Sequence, residues 1–122
     1  MDYSSQMDVI NGEQMEMLIA SAGVDTAKMI LDAFWKSNNE IVAAMTAHLD
    51  NENFVEASAS AHALKGSAAN LGATQVADRA KTIETACRAQ DIAAARAAFE
   101  KVDADIQATR QAFDSLLVSK AA

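Results

Sequence analysis

Ala61-His62-Ala63-Leu64-Lys65-Gly66-Ser67-Ala68-Ala69-Asn70-Leu71-Gly72-Ala73 is the stretch on which the fold turns. With Phe54 and Ala57 upstream, Ala61, Leu64, Ala68 and Leu71 recur at steps of three and four. They predict an amphipathic helix over about 51–71, closed by Gly72 as its C-terminal glycine. Two residues stand outside that packing logic. Gly66 occupies a helix-interior position, where glycine costs about 1 kcal/mol relative to alanine. His62, one turn earlier on the same face, lies about 130° from the middle of the buried arc at 100° per residue. The imidazole is therefore expected in solvent beside a cleared patch of backbone, with Lys65 reaching the same clearing.

That trio suits a residue that carries a phosphoryl group. A neutral imidazole offers a ring lone pair near physiological pH. Phosphoryl transfer asks a protein mainly to position the group and to stabilise charge spread over its oxygens, a task for Lys65. Gly66, with Ser58, Ala59, Ser67 and Ala69 around it, leaves a low-relief surface on which a second protein can bring an acceptor in line.

The remaining segments read as partner helices. Ile92, Ala95, Phe99, Val102, Ile106, Thr109, Phe113 and Leu116 form one seam over about 91–118, on the order of 40 Å long at 1.5 Å per residue, with Asp91 as N-cap. Val76, Ala80, Ile83 and Cys87 mark a shorter helix over about 74–89, capped by Thr74. Upstream, Asp25 is the expected cap of a helix over about 25–50, with Ile30, Phe34, Ile41, Met45 and Leu49 inward and Leu31, Asn38 and Val42 on its flank. A short helix over about 13–21, with Met15, Leu18 and Ile19, follows Asn11-Gly12, ends near Gly23 and is expected to cover an end of the bundle. Short connections favour antiparallel neighbours. The expected architecture is all-α: an antiparallel up-and-down four-helix bundle with a short additional N-terminal helix, one domain over 1–122.

Composition agrees. Proline is absent and only 5% of residues are aromatic, which disfavours a sheet. A net charge of −7 argues against sequence-independent nucleic-acid binding. One cysteine allows no internal disulfide, so Cys87 reads as a core residue in a reducing compartment. No segment approaches the roughly 18 apolar residues of a membrane span, and residues 1–10 lack a basic flank and an apolar run. A cytoplasmic monomer, without a membrane or nucleic-acid partner, is the expectation.

Ala61-His62-x-Leu64-Lys65-Gly66-Ser67-Ala68, followed by Asn70-Leu71-Gly72-Ala73, resembles the signature of histidine-containing phosphotransfer (HPt) domains. Phe34, Ile83-Glu84 and the Arg88-Ala89-Gln90-Asp91 turn extend the resemblance, at positions that in many members read Leu-Glu and Arg-x-Gly-Asp. Isoleucine replaces leucine at 83, and Gln90 stands where glycine is common, which bears on the shape of that turn. The resemblance implies that His62 exchanges a phosphoryl group with an aspartate on a receiver domain of a response regulator or hybrid histidine kinase. It also implies that the receiver supplies magnesium and most of the catalytic groups, so that this chain needs no cofactor or metal of its own. The chain has no glycine-rich phosphate loop with its lysine and is too short for an ATP-binding domain beside the bundle. A phosphorelay intermediate, and not an autonomous ATP-dependent kinase, follows.

Two other readings share parts of this pattern. One is a module that docks on a receiver or histidine kinase and regulates it without being phosphorylated. The other is a phosphotransfer domain excised from a chemotaxis-type kinase; Met1 and the Ser119–Ala122 tail favour a complete small protein instead. A bundle-core metal site would call for Glu-x-x-His pairs, and none occurs on these helices. His48 lacks the neighbours of His62 and reads as a helix-end residue favoured by the dipole. Ser58 and Ser67 fit hydrogen bonding to the imidazole or backbone as well as simple tolerance of a small residue. Which of Arg79, Lys81 and Arg88 faces His62 is open at this level.

Overall fold

The computed structural model describes residues 9–121; the expected span of 1–122 includes residues 1–8 and 122, which lie outside them. Among the described residues six helices follow one another: α1 (Glu13–Ala22), α2 (Val24–Asp50), α3 (Phe54–Leu71), α4 (Thr74–Arg88), α5 (Ile92–Phe99) and α6 (Val102–Ala121). The fold is all-α. Helices α2, α3, α4 and the α5–α6 pair form the antiparallel bundle, and α1 packs on α2 and α3.

Three of the connections are built by one device. At each, two backbone N–H groups fold back on the last turn: Glu52 to Leu49 and Asn53 to His48; Gly72 to Ala69 and Ala73 to Ala68; Gln90 to Cys87 and Asp91 to Ala86. These are Schellman closures, which need a left-handed residue after the helix. Glu52 (φ 51°), Gly72 (φ 79°) and Gln90 (φ 57°) supply it. The turn after α4 therefore keeps its shape without glycine, with Gln90 bearing a steric cost of about 1 kcal/mol. At position 72 glycine is required twice over. The Asn11 N–H donates to the Gly72 carbonyl at 2.7 Å, and a Cβ on Gly72 would collide with the Asn11 carbonyl.

Helix starts follow the sequence in part. Asn53 accepts from the Glu56 N–H at 3.2 Å and Asp91 from the Ala94 N–H at 3.0 Å, both as N-caps. Asp25 and Thr74 are not caps. Gly23 ends α1 and opens α2 at once, so Asp25 falls inside the first turn, where its carboxylate meets the positive helix end. Ala73 closes α3 and opens α4, and the Thr74 hydroxyl turns back to the Gly72 carbonyl.

The buried stripes of α3 and α4 lie where the spacing puts them, with Ala57, Ala61, Leu64 and Ala68 facing Val76, Ala80, Ile83 and Cys87. Helix α2 keeps Phe34, Met45 and Leu49 inward as expected, but Ile41 is half-buried and Leu31 takes the place read for Ile30: Ile30 is 36% exposed and Leu31 only 2%. The inward stripe runs Ala27, Leu31, Phe34, Asn38, Met45 and Leu49, and its polar member Asn38 hides it from an apolar count. Trp35 is also buried, against Phe34 and Phe113, under the Arg110 guanidinium. The seam read as one helix over 91–118 is carried by two. At Glu100-Lys101 the turn tightens, with the Lys101 N–H bonding Ala98 three residues back, and α6 continues to Ala121. Neither glycine nor proline marks that junction.

Candidate functional site

Small residues let α3 and α4 approach closely. Ala57, Ala61 and Ala68 are fully buried against α4, and Leu64 beneath them contributes about 2 kcal/mol through its burial. That approach carries a residue of α4, Glu84, to the base of the His62 side chain. Glu84 flanks the buried positions Ala80, Ile83 and Cys87, and its own side chain is 4% exposed. A carboxylate there needs partners, and it has three. The Lys65 ammonium donates to Oε1 at 2.7 Å, the Arg88 guanidinium to Oε2 at 2.8 Å, and His62 Nδ1 lies 2.9 Å from the same Oε2.

The charges set the protonation pattern. The Lys65 hydrogen bond, the His62 contact and the nearby Arg88 charge outweigh burial and hold the Glu84 carboxyl below the usual range. An ionised carboxylate only accepts hydrogen bonds, so Nδ1 of His62 is the protonated nitrogen and the lone pair belongs to Nε2. The ring is fixed at one edge and open at the other: the His62 side chain is 65% exposed. Around it Val55, Ser58, Ala59, Glu84 and Arg88 line a shallow depression of about 360 Å³.

The residues singled out in the sequence fall into distinct places. Lys65, one-third exposed, is engaged with Glu84 and not extended into the clearing. At Gly66 an added Cβ would meet nothing within 4 Å, so no packing among the described residues calls for glycine there. Ser58 and Ala59 line the depression; Ser67 and Ala69 do not, and the Ser67 hydroxyl bonds back to the Leu64 carbonyl. Of the three open cations, Arg88 joins the Glu84 cluster. Arg79 turns away to Asp105 at 2.6 Å, and Lys81 is exposed. His48 is half-buried in the last turn of α2. Cys87 is buried, which pushes its thiol pKa up.

Glu84 is the residue that reading the sequence did not place at the site. Its signal was a carboxylate set beside a buried stripe with an arginine four residues on. Among the described residues, no three His, Cys, Asp or Glu side chains gather as a metal site, and no helix is long and apolar enough to cross a membrane.

The family model of the Hpt domain matches residues 29–112, and the chain belongs to that family. Hpt proteins are phosphotransfer intermediates in phosphorelay signalling rather than kinases, and they work with receiver domains and kinases. The phosphorelay protein LuxU of Vibrio harveyi is 29% identical over 108 residues, which span 88% of this chain and 95% of LuxU. Two solved histidine-containing phosphotransfer proteins share the fold. ZmHP2 from maize has a TM-score of 0.80 at 21% identity, over 95% of this chain and 89% of its own. MtHPt2 from Medicago truncatula has a TM-score of 0.82 at 20% identity, over 95% and 83%.

Proposed function

We propose that His62 carries the phosphoryl group of a phosphorelay on Nε2 and exchanges it with an aspartate of a receiver domain. The observation that supports this most directly is the 2.9 Å contact from His62 Nδ1 to the buried Glu84 on a ring that is otherwise in solvent. With the Nδ1 proton held by Glu84, the Nε2 lone pair attacks phosphorus. The Nε2–P bond forms while the P–O bond to the aspartate breaks, and the aspartate leaves as a carboxylate, so no proton has to move. The imidazole gains positive charge as that bond forms, and Glu84 offsets it from one hydrogen bond away. The return transfer runs through the same geometry.

Lys65 is the charge partner of the phosphoryl oxygens, turning from Glu84 toward the stronger anion as it arrives. The receiver supplies the magnesium ion. Gly66 leaves room for the incoming domain, and Ser58 and Ala59 form part of the floor on which it lands. The protein does not phosphorylate itself from ATP.

Incubation with a receiver domain carrying labelled phosphate tests the reading. Label should move to the wild type and not to His62→Gln, and undiminished transfer to that variant overturns the assignment. Gly66→Gln should slow transfer while its stability changes by less than about 1 kcal/mol. A stoichiometric complex indifferent to His62→Ala, with no acid-labile phosphate, would put a docking-only role in its place.

A further inference from the structure

We propose that Glu84 keeps the ring of phosphorylated His62 protonated at Nδ1, so that the phosphoryl group stays a ready donor, to a carboxylate or to water, at pH values where an ordinary phosphohistidine has become inert. The inference deepens the phosphotransfer reading above and rests on it.

Donors and acceptors decide the state of the ring. His62 Nδ1 lies 2.9 Å from Glu84 Oε2, and the Glu84 side chain is buried, so water has little access to replace a lost donor. A carboxylate held ionised by its cations can only accept. If the phosphorylated ring lost its Nδ1 proton, a lone pair would face that oxygen, acceptor against acceptor. If the ring keeps the proton, a cation meets an anion through a charge-assisted hydrogen bond. An amide in the same place would serve both forms, its oxygen taking the N–H and its NH2 group serving the bare nitrogen. The carboxylate serves one.

The surrounding charges favour the same form. From α3 Lys65 binds Glu84 at 2.7 Å, and from α4 Arg88 binds it at 2.8 Å. Glu84 and Arg88 are the charged residues lining the depression around His62, and none of its lining residues comes from α1, α2, α5 or α6. When Lys65 turns to the phosphoryl oxygens, Glu84 gives up one of its two counter-charges, and the imidazolium takes that place.

Protonation then sets the leaving group. Phosphoryl transfer passes through a loose transition state, in which the bond to the leaving group is largely broken. The electron pair of the P–N bond returns to Nε2. From the protonated ring a neutral imidazole departs; from the bare ring it would be an imidazolate. The exposed edge of the ring admits water. In hydrolysis the water oxygen bonds to phosphorus as the P–N bond breaks, both of its protons stay with the product as dihydrogen phosphate, and His62 is left neutral with its Nδ1–H on Glu84. Glu84 touches no reacting atom and acts through the ring.

The test uses the whole chain carrying His48→Gln, so that His62 is the one imidazole left. The protein is phosphorylated with phosphoramidate, and loss of phosphohistidine is followed by phosphorus NMR between about pH 5 and about pH 9. Loss slows as the ring deprotonates, and the midpoint of that fall should lie about one pH unit or more higher in the folded protein than in the same protein unfolded in urea, or in Glu84→Gln. Near about pH 8 the protein with Glu84 intact should lose phosphate on the order of tenfold faster than Glu84→Gln, and the two should converge below about pH 5.5. Arg88→Gln, which takes a cation from Glu84, should move the midpoint higher still. A midpoint no higher in the folded protein than in the unfolded one, or coincident profiles with and without Glu84→Gln, overturns the proposal. Absence of transfer from a phosphorylated receiver domain, with the profiles as expected, strikes the phosphotransfer reading and leaves the ring chemistry standing.

Discussion

Glu84 and Asp105 are both buried carboxylates whose oxygens are claimed by side chains from α4 or its neighbours, yet they do opposite things. Asp105 of α6 accepts from Gln75 at 2.7 Å and from Arg79 at 2.6 Å. Its partners lie along the seam between α4 and α6, and the cluster closes inward. Glu84 accepts from two cations and an imidazole, and two of these three side chains, His62 and Arg88, are about two-thirds exposed. Its cluster opens outward. The same buried anion fastens two helices in one place and mounts a reactive ring in the other, according to whether its donors end in the protein or in solvent.

Removing each anion separates the two roles. Asp105→Ala should cost about 2–4 kcal/mol of stability, because it strands the Arg79 guanidinium in a partly buried seam; urea unfolding measures this, and transfer per folded molecule should persist. Glu84→Gln should do the reverse. Two of its three donors, His62 and Arg88, are about two-thirds exposed, so stability should fall less than for Asp105→Ala, while transfer slows about tenfold or more as the ring loses its anchoring charge. If both variants lose stability alone, the distinction collapses.

Acid sharpens the contrast. Glu84 is held below the usual carboxylate range, chiefly by Lys65, so the unfolded chain binds the extra proton first. Its contribution is present above about pH 4.3 and is lost as pH falls from there through the lowered folded value. Below that pH the stability of the wild type should drop more steeply than that of Glu84→Gln. Asn38 supplies the smallest effect and the missing control. Its amide is fully buried with no hydrogen-bond partner among the described residues, so Asn38→Leu should raise stability by about 1 kcal/mol.

What the sequence discloses depends on whether the cause is local. The exposure of His62 follows from its angle to the Ala61-Leu64-Ala68 stripe, and the end of α3 follows from Gly72. The link from His62 to Glu84 spans 22 residues, and no periodicity within one helix reports it. In α2 two apolar neighbours, Ile30 and Leu31, compete for one inward position, and the buried Asn38 tips the spacing toward the wrong one. Asp25 has the chemistry of a cap, but Gly23 ends the previous helix so abruptly that the new one begins a residue too soon. The step from Phe99 to Val102 fits a continuous helix and a tightened turn equally well. Ser58 and Ala59 line a depression that Glu84 and Arg88 complete from α4, a grouping that no spacing within α3 reports.

Gly72 and Gly66 answer to different judges. The first is imposed by the chain itself, through the Asn11 carbonyl pressed against it, and any replacement should show up in folding alone. The second faces open space. On the proposed reading its bareness is demanded by another molecule, so a genetic screen starting from a bulky substitution at Gly66 should recover its suppressors in the gene for the receiver and not in this one.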